Sequence, residues 1–178
     1  MTTVRLDPAD LAASLDAAQA ALLADVPGAR HTWVLPDGGP HLLAATLLGA
    51  PDRSLTLTAD ATSVAPPVLR IAAGGGATAL GLAGVDVTLA GIDVEADGED
   101  VVAVRLDASG RGSVTGCRVH ATGREVTGLL VEAGALAELV DVAAVGLRSS
   151  VGDAVGVRAS GPLVRVHRAV VGDLVARG

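Results

Sequence analysis

The densest group of acidic side chains lies in the segment IDVEADGED, residues 92–100. Carboxylate oxygens of this kind are the ligands that Ca²⁺ takes in proteins. The segment carries five of them, on Asp93, Glu95, Asp97, Glu99 and Asp100. It also has the composition of a solvated connection between two strands, and Gly98 suits a turn there. We therefore predict a surface loop rather than a metal site.

The other groups with catalytic potential are scattered along the chain. The histidines lack the spacing of a metal-binding pair; they are His31, His41, His120 and His167. Cys117, the single cysteine, belongs to an apolar series that recurs along the chain, which is typical of an inert buried thiol. No Gly-x-Ser-x-Gly motif occurs, and glycines 74–76 lack the Lys-Ser/Thr continuation of a phosphate-binding loop. We expect no catalytic residue, no metal and no cofactor.

The charge balance argues against a nucleic-acid partner. The 178 residues include 13 basic and 20 acidic side chains, for a formal net charge of −7. Binding to a phosphate backbone depends on many Lys and Arg contacts. Asp86 interrupts the longest apolar run, so no membrane contact is predicted. The N-terminal residues do not form the basic region followed by an apolar core that a signal peptide has. We predict a cytoplasmic protein or a part of an assembled particle.

The elements that position these side chains repeat about every 25 residues, a period typical of a solenoid. Four segments align, namely Thr88–Val94, Ser113–Val119, Leu136–Val142 and Leu163–Ala169. We call residues at the same position of successive coils a column. Each segment alternates apolar and polar residues, as strands do, so the alignment predicts parallel strands stacked into coils.

The alignment predicts the neighbours of each charged residue. One outward column alternates in sign and predicts stabilising ion pairs between coils rather than a catalytic strip; it contains Asp93, Arg118, Asp141 and Arg168. Two further outward columns contain Glu138 with Arg165, and Arg105 with Leu130 and Arg158. The inward columns are Ile92, Cys117, Val140 and His167, and Val94, Val119, Val142 and Ala169. Gly91 and Gly116 share a column that predicts a tight bend.

The first 30 residues predict a helix that closes one end of the solenoid. Residues 8–25 place Leu11, Leu15, Ala18 and Leu22 on one stripe, and Asp7 is suited to cap the helix. The uncovered end of a solenoid presents bare core and strand edges, so a cap is expected there. The alternative is an independent helix that binds a partner. We divide the chain into a capping helix, residues 1–30, and a parallel β-helix, residues 31–178.

The cap, the segment WVLPDGG (33–39) and the coil motifs VTLAGIDV and SVTGCRV resemble the right-handed parallel β-helix, or pectin-lyase-like, superfamily. The resemblance covers residues 31–178 and implies an all-β, right-handed solenoid. Small β-helical modules of phage-tail-like baseplates are similar more loosely. Because the superfamily includes polysaccharide lyases, glycoside hydrolases and non-catalytic scaffolds, it leaves function open. Its lyases imply a calcium-binding acidic cluster with an arginine base, for which the acidic segment and Arg118 or Arg124 are candidates.

The sequence ends in VVGDLVARG, still within the repeat and without a second amphipathic helix. An uncovered coil is a sheet edge available for pairing. We therefore predict a structural or assembly module that docks or self-associates through its C-terminal coil. The alternative is a carbohydrate-active enzyme or a polysaccharide-binding β-helix. The predicted interaction residues are Leu130, Val170, Val171, Leu174 and Val175.

Overall fold

The computed structural model describes residues 1–37, 39–74 and 77–176, which form one helix, α1 (Leu11–Ala24), and eighteen strands. The first nine strands are β1 (Thr2–Arg5), β2 (Arg30–Leu35), β3 (His41–Ala44), β4 (Thr46–Gly49), β5 (Ser54–Ala59), β6 (Val68–Ala72), β7 (Thr78–Gly84), β8 (Val87–Ala90) and β9 (Asp93–Asp97). The others are β10 (Asp100–Ala108), β11 (Arg111–Thr115), β12 (Arg118–Gly123), β13 (Glu125–Ala133), β14 (Leu136–Val145), β15 (Arg148–Ser149), β16 (Ala154–Ser160), β17 (Leu163–Gly172) and β18 (Val175–Ala176).

The strands stack into a parallel β-solenoid of about 7 turns, which confirms the predicted coils. Wall A contains β1, β2, β5, β8, β11 and the first halves of β14 and β17. Wall B contains β3, β6, β9, β12 and the second halves of β14 and β17. Wall C is a separate sheet in the order β16-β13-β10-β7-β4. Each strand pairs with the equivalent strand of the next coil, so equivalent residues lie side by side.

The space between the walls is filled by aliphatic side chains. Along β8 and β9 the buried residues alternate with half-buried ones, as expected for strands with one face on a core. Leu80, Leu82 and Leu106 have no exposed surface, and neither has Trp33, the only Phe, Tyr or Trp of the sequence. A stack of small branched residues allows each coil to pack closely on the next.

The predicted columns are correct except at one step, from the segment Ser113–Val119 to the segment Leu136–Val142, where they are wrong by two residues. Asp93 lies opposite Arg118, but Arg118 lies opposite Ala143 rather than Asp141. Asp141 therefore does not continue that column; it faces Arg168 in a separate ion pair. A shift of two residues preserves the alternation of inward and outward side chains, so the sequence pattern alone does not detect it.

The same shift moves the predicted inward columns. Cys117 is buried as predicted, whereas Val140 is half-buried and belongs to the column of Thr115. His167 follows Val140 in that column and is exposed. The prediction of an inward His167 was therefore wrong.

Asp141 and Arg168 occupy the bend that Gly91 and Gly116 form in earlier coils. All four have positive φ, at 53° for Asp141, 56° for Arg168, 66° for Gly91 and 62° for Gly116. Only glycine adopts this conformation without a steric cost. The predicted bend is thus confirmed and continues through two charged residues.

The helix packs on the N-terminal end of the stack. Its stripe of Leu11, Leu15, Ala18 and Leu22 is buried as predicted, in the same core cluster as Trp33. The capping side chain is Asp10, which accepts a hydrogen bond from the Ala13 N–H, rather than the predicted Asp7. Asp7 accepts instead from Ala9 in the preceding turn.

A hydrogen-bonded side chain joins the helix to the first strand of wall C. Gln19 Nε2 donates to the Gly49 carbonyl oxygen, and the Gly49 N–H donates to Gln19 Oε1, each at 2.8 Å. The amide thereby satisfies the backbone of an edge strand that lacks a preceding coil. Strand β1 also extends wall A before the helix begins, although no pattern in residues 1–7 indicated a strand. The division at residue 30 stays a prediction.

None of the residues described forms a helix long and apolar enough to cross a membrane.

Candidate functional site

The acidic segment forms a strand rather than the predicted loop over most of its length. Within β9, Asp93 and Glu95 are half-buried and Asp97 is exposed, all on the outer face of wall B. Glu95 accepts from Arg70 Nε at 2.8 Å and Nη2 at 2.6 Å in the preceding coil. Asp97 accepts from the Thr122 hydroxyl at 2.8 Å in the following coil. These carboxylates therefore hold adjacent coils together.

The calcium and arginine candidates do not converge on one point. Arg118 approaches Asp93 through its backbone N–H, at 3.2 Å, rather than through its guanidinium. The depression beside Glu95 and His120 is open and measures about 210 Å³. Within residues 1–37, 39–74 and 77–176, no group of three or more His, Cys, Asp and Glu side chains could hold a metal ion.

Cys117 lies in the core at 2 % exposure, and burial raises the pKa of its thiol to about 11. A buried thiol that stays protonated is a poor nucleophile. We expect Ellman's reagent at pH 8 to modify the native protein at least about 100-fold more slowly than the guanidinium-unfolded protein, because two pKa units separate the buried thiol from an ordinary one. Equal rates in the two states would show that Cys117 is accessible.

The N-terminal end holds a second polar cluster, which ties α1 to the first coils. His31 Nε2 lies 3.0 Å from Asp25 Oδ2, and the Arg53 guanidinium donates to the Asp25 and Leu23 carbonyl oxygens at the end of the helix. The Val26 N–H, and after it His31, hold the pKa of Asp25 below its usual range. The cluster satisfies carbonyls that a helix end leaves without partners.

At the opposite end of the stack, no described element covers the last coil. We call the coil formed by β16, β17 and β18 the terminal coil. Along β17 nine of ten residues are exposed, with only Gly172 half-buried. Four predicted interaction residues lie in this coil, with exposed fractions of 58% for Val170, 46% for Val171, 44% for Leu174 and 43% for Val175.

Some of the exposed side chains occupy core positions. Val164, Val166 and Val171 lie opposite Ala137, Leu139 and Ala144 of the preceding coil. Those three partners are at most 2% exposed, whereas Val164 is 42% and Val166 53% exposed. The two sets differ because no further coil among the described residues covers the second one. Val164 and Val166 were missed as interaction residues, although their alignment with Ala137 and Leu139 would have indicated them.

The backbone edge of the terminal coil is also available. In the described chain, β17 pairs only with β14, β16 only with β13 and β18 only with β15. The outer side of each strand therefore presents N–H and C=O groups that a further strand would pair.

Leu130, the fifth predicted interaction residue, lies elsewhere. It is half-buried on wall C between Arg105 and Arg158, as its predicted column required. It does not contribute to the end face, and its role in an interaction stays a prediction.

Comparison of the chain with protein-family models, with curated proteins and with solved structures found no match.

Proposed function

We propose that the protein is a non-catalytic β-helical scaffold that docks or self-associates within a larger complex through its terminal coil. The observation that supports this is the difference between the two ends. Helix α1 covers the N-terminal end, whereas β17 is exposed along almost its whole length. Long, apolar, uncovered strand edges are a hazard that proteins normally protect by charge, bulges or a covering element.

The energetics of the end face favour an occupant. Burying a large aliphatic side chain contributes about 1.5–3 kcal/mol, and roughly half of that remains to be gained by a side chain already half covered. Val164, Val166, Val171 and Leu174 together would contribute several kcal/mol, to which the backbone hydrogen bonds of β17 add. Contacts of this size offset the cost of association only when the partner is well matched in shape.

We further propose that the solenoid is a right-handed β-helix of the pectin-lyase-like superfamily. Its proposed role is that of a baseplate-type module in a phage-tail-like particle. Parallel strands joined by crossovers are right-handed in nearly all proteins, which supports the handedness. The coil motifs VTLAGIDV and SVTGCRV, in β8–β9 and β11–β12, support the superfamily.

The proposed function predicts association of the full chain that depends on its end face. Sedimentation velocity over a concentration series should show reversible oligomers at high micromolar concentration, and Val166→Asp should abolish them because it places a carboxylate among the uncovered apolar side chains. Val64→Asp is the matched control, since Val64 is 98% exposed in the connection between β5 and β6. A chain that stays monomeric throughout, or one whose oligomers survive Val166→Asp, contradicts self-association through this face.

A further inference from the structure

We infer, on the basis of the proposed docking function, that the preferred occupant of the terminal coil is a partner strand with apolar side chains alternating with acidic ones. A second copy of this chain is then the weaker occupant. Three features of the structure support this choice: the direction of the ion pairs, the charges of the terminal coil, and the register of β14 against β17.

The ion pairs between coils run mostly in one direction. Arg70 pairs with Glu95 at 2.6 Å, and Arg105 with Glu132 at 2.7 Å. Arg111 pairs with Glu138 in the same sense. In each case the arginine belongs to one coil and the carboxylate to the next coil toward the C-terminus. By the same pattern, an arginine of the terminal coil would pair with a carboxylate on a strand that covers this coil.

The terminal coil carries arginines that lack such a partner. Arg158 on β16 and Arg165 on β17 make no ion pair with any residue of the described ranges, as the contacts within 4.0 Å show. Arg168 pairs with Asp141 of the preceding coil at 2.5 Å. Strands β16 and β17 contain no acidic residue. These two strands are therefore positive in a protein of net charge −7, while Asp153 and Asp173 lie in the connections before β16 and after β17.

Strand β14 shows what a matching occupant looks like. It pairs in parallel with β17 so that Glu138 lies opposite Arg165 and Leu139 opposite Val166. Its inward residues are apolar, and its outward residues include Asp141, which pairs with Arg168, and Glu138, which lies opposite Arg165 in register but pairs with Arg111. A strand of the same pattern on the other side of β17 would cover the valines and neutralise Arg165.

A second copy fits this edge less well. Its N-terminal end is covered by α1, which prevents head-to-tail stacking. Tail-to-tail stacking about a twofold axis would bring Arg158, Arg165 and Arg168 of both copies onto one interface, and strands β16 and β17 carry no acidic residue to pair with them. Like charges brought close together across strands are destabilising.

The test uses the full chain and two synthetic peptides, the β14 sequence LAELVDVAAV and its amide counterpart LAQLVNVAAV, each with a fluorescent label and a solubilising tail. We expect the acidic peptide to bind about tenfold more tightly by anisotropy at low salt, which corresponds to about 1.4 kcal/mol. Hydrogen exchange should slow at the β17 amides. Arg165→Gln should remove most of the difference between the peptides, whereas Arg30→Gln, on β2 at the covered end, should leave it unchanged.

The result also separates this inference from the proposed function. The acidic peptide should dissociate any oligomers of the chain. Because salt screens charges, it should weaken the binding of the acidic peptide and strengthen self-association between the positive edges. Self-association with equal binding of both peptides, or with no peptide binding up to millimolar concentration, overturns the acidic-strand inference and leaves the docking function standing. Absence of both self-association and peptide binding overturns the two together.

Discussion

The substitution Gly49→Ala is expected to lower the free energy of unfolding by about 3 kcal/mol or more. Only a few kinds of backbone and packing defect cause a loss of this size. Gly49 ends β4 with φ +101°, and a Cβ there would lie 2.0 Å from the Ala83 carbonyl oxygen in the next coil. Because that oxygen belongs to the backbone of β7, it cannot move without disturbing wall C. A movement of residue 49 away from Ala83 would also break the two hydrogen bonds between its backbone and Gln19.

The matched control is Gly28→Ala. Gly28 has φ +81°, but a Cβ there would meet no atom within 4 Å. The left-handed conformation alone costs about 1–2 kcal/mol in a residue with a Cβ. Guanidinium denaturation followed by circular dichroism should therefore show the larger loss for Gly49→Ala. Equal losses in the two variants would mean that the backbone contact with Ala83 is unimportant.

The coils could be predicted from the sequence because side-chain alternation and a repeat of constant period are properties of the chain itself. The register of one step, from the segment Ser113–Val119 to the segment Leu136–Val142, could not. The motifs around Asp93, Arg118 and Asp141 look alike, yet the true partner of Arg118 is Ala143. Since a two-residue shift leaves every inward residue inward, only the hydrogen bonds between coils decide the register.

The bend at residues 141 and 168 marks another limit of prediction. Gly91 and Gly116 indicate a left-handed bend by their residue type. Aspartate tolerates that conformation moderately. An arginine at position 168 does not indicate a left-handed bend by its residue type. The structure keeps the bend at Arg168 because β17 follows β14 residue by residue on both sides of it.

The terminal coil shows how much of the candidate site could be predicted. Val170, Val171, Leu174 and Val175 were predicted as interaction residues, and the structure places all four, exposed, in the terminal coil. The N-terminal end was less predictable. Gln19 has no sequence signal for bonding to Gly49, because the two residues meet only after the helix folds back onto wall C.

The second large effect is expected at Trp33, the only aromatic residue of the chain. Its side chain has no exposed surface and lies in the core cluster together with the apolar stripe of α1. Truncating a buried aromatic side chain removes its transfer free energy and leaves a cavity. We expect Trp33→Ala to lower the free energy of unfolding by about 3–5 kcal/mol, measured by circular dichroism because the variant has no tryptophan fluorescence.

Trp33→Phe separates the loss of volume from the loss of the indole N–H. The Trp33 Nε1 atom is buried and has no hydrogen-bond partner among the described residues. Phenylalanine removes this unsatisfied donor, which offsets part of the cost of its smaller ring. The Phe variant should therefore be destabilised by less than half as much as the Ala variant.

Hydrogen exchange of the Ala variant should show faster exchange in α1 and β2, since Trp33 lies at the covered end. Exchange in β16 and β17 should stay as in the unmodified chain. Equal exchange at both ends would instead show that the whole stack unfolds as a single unit, in which the helix protects the distant coils as much as the nearest one.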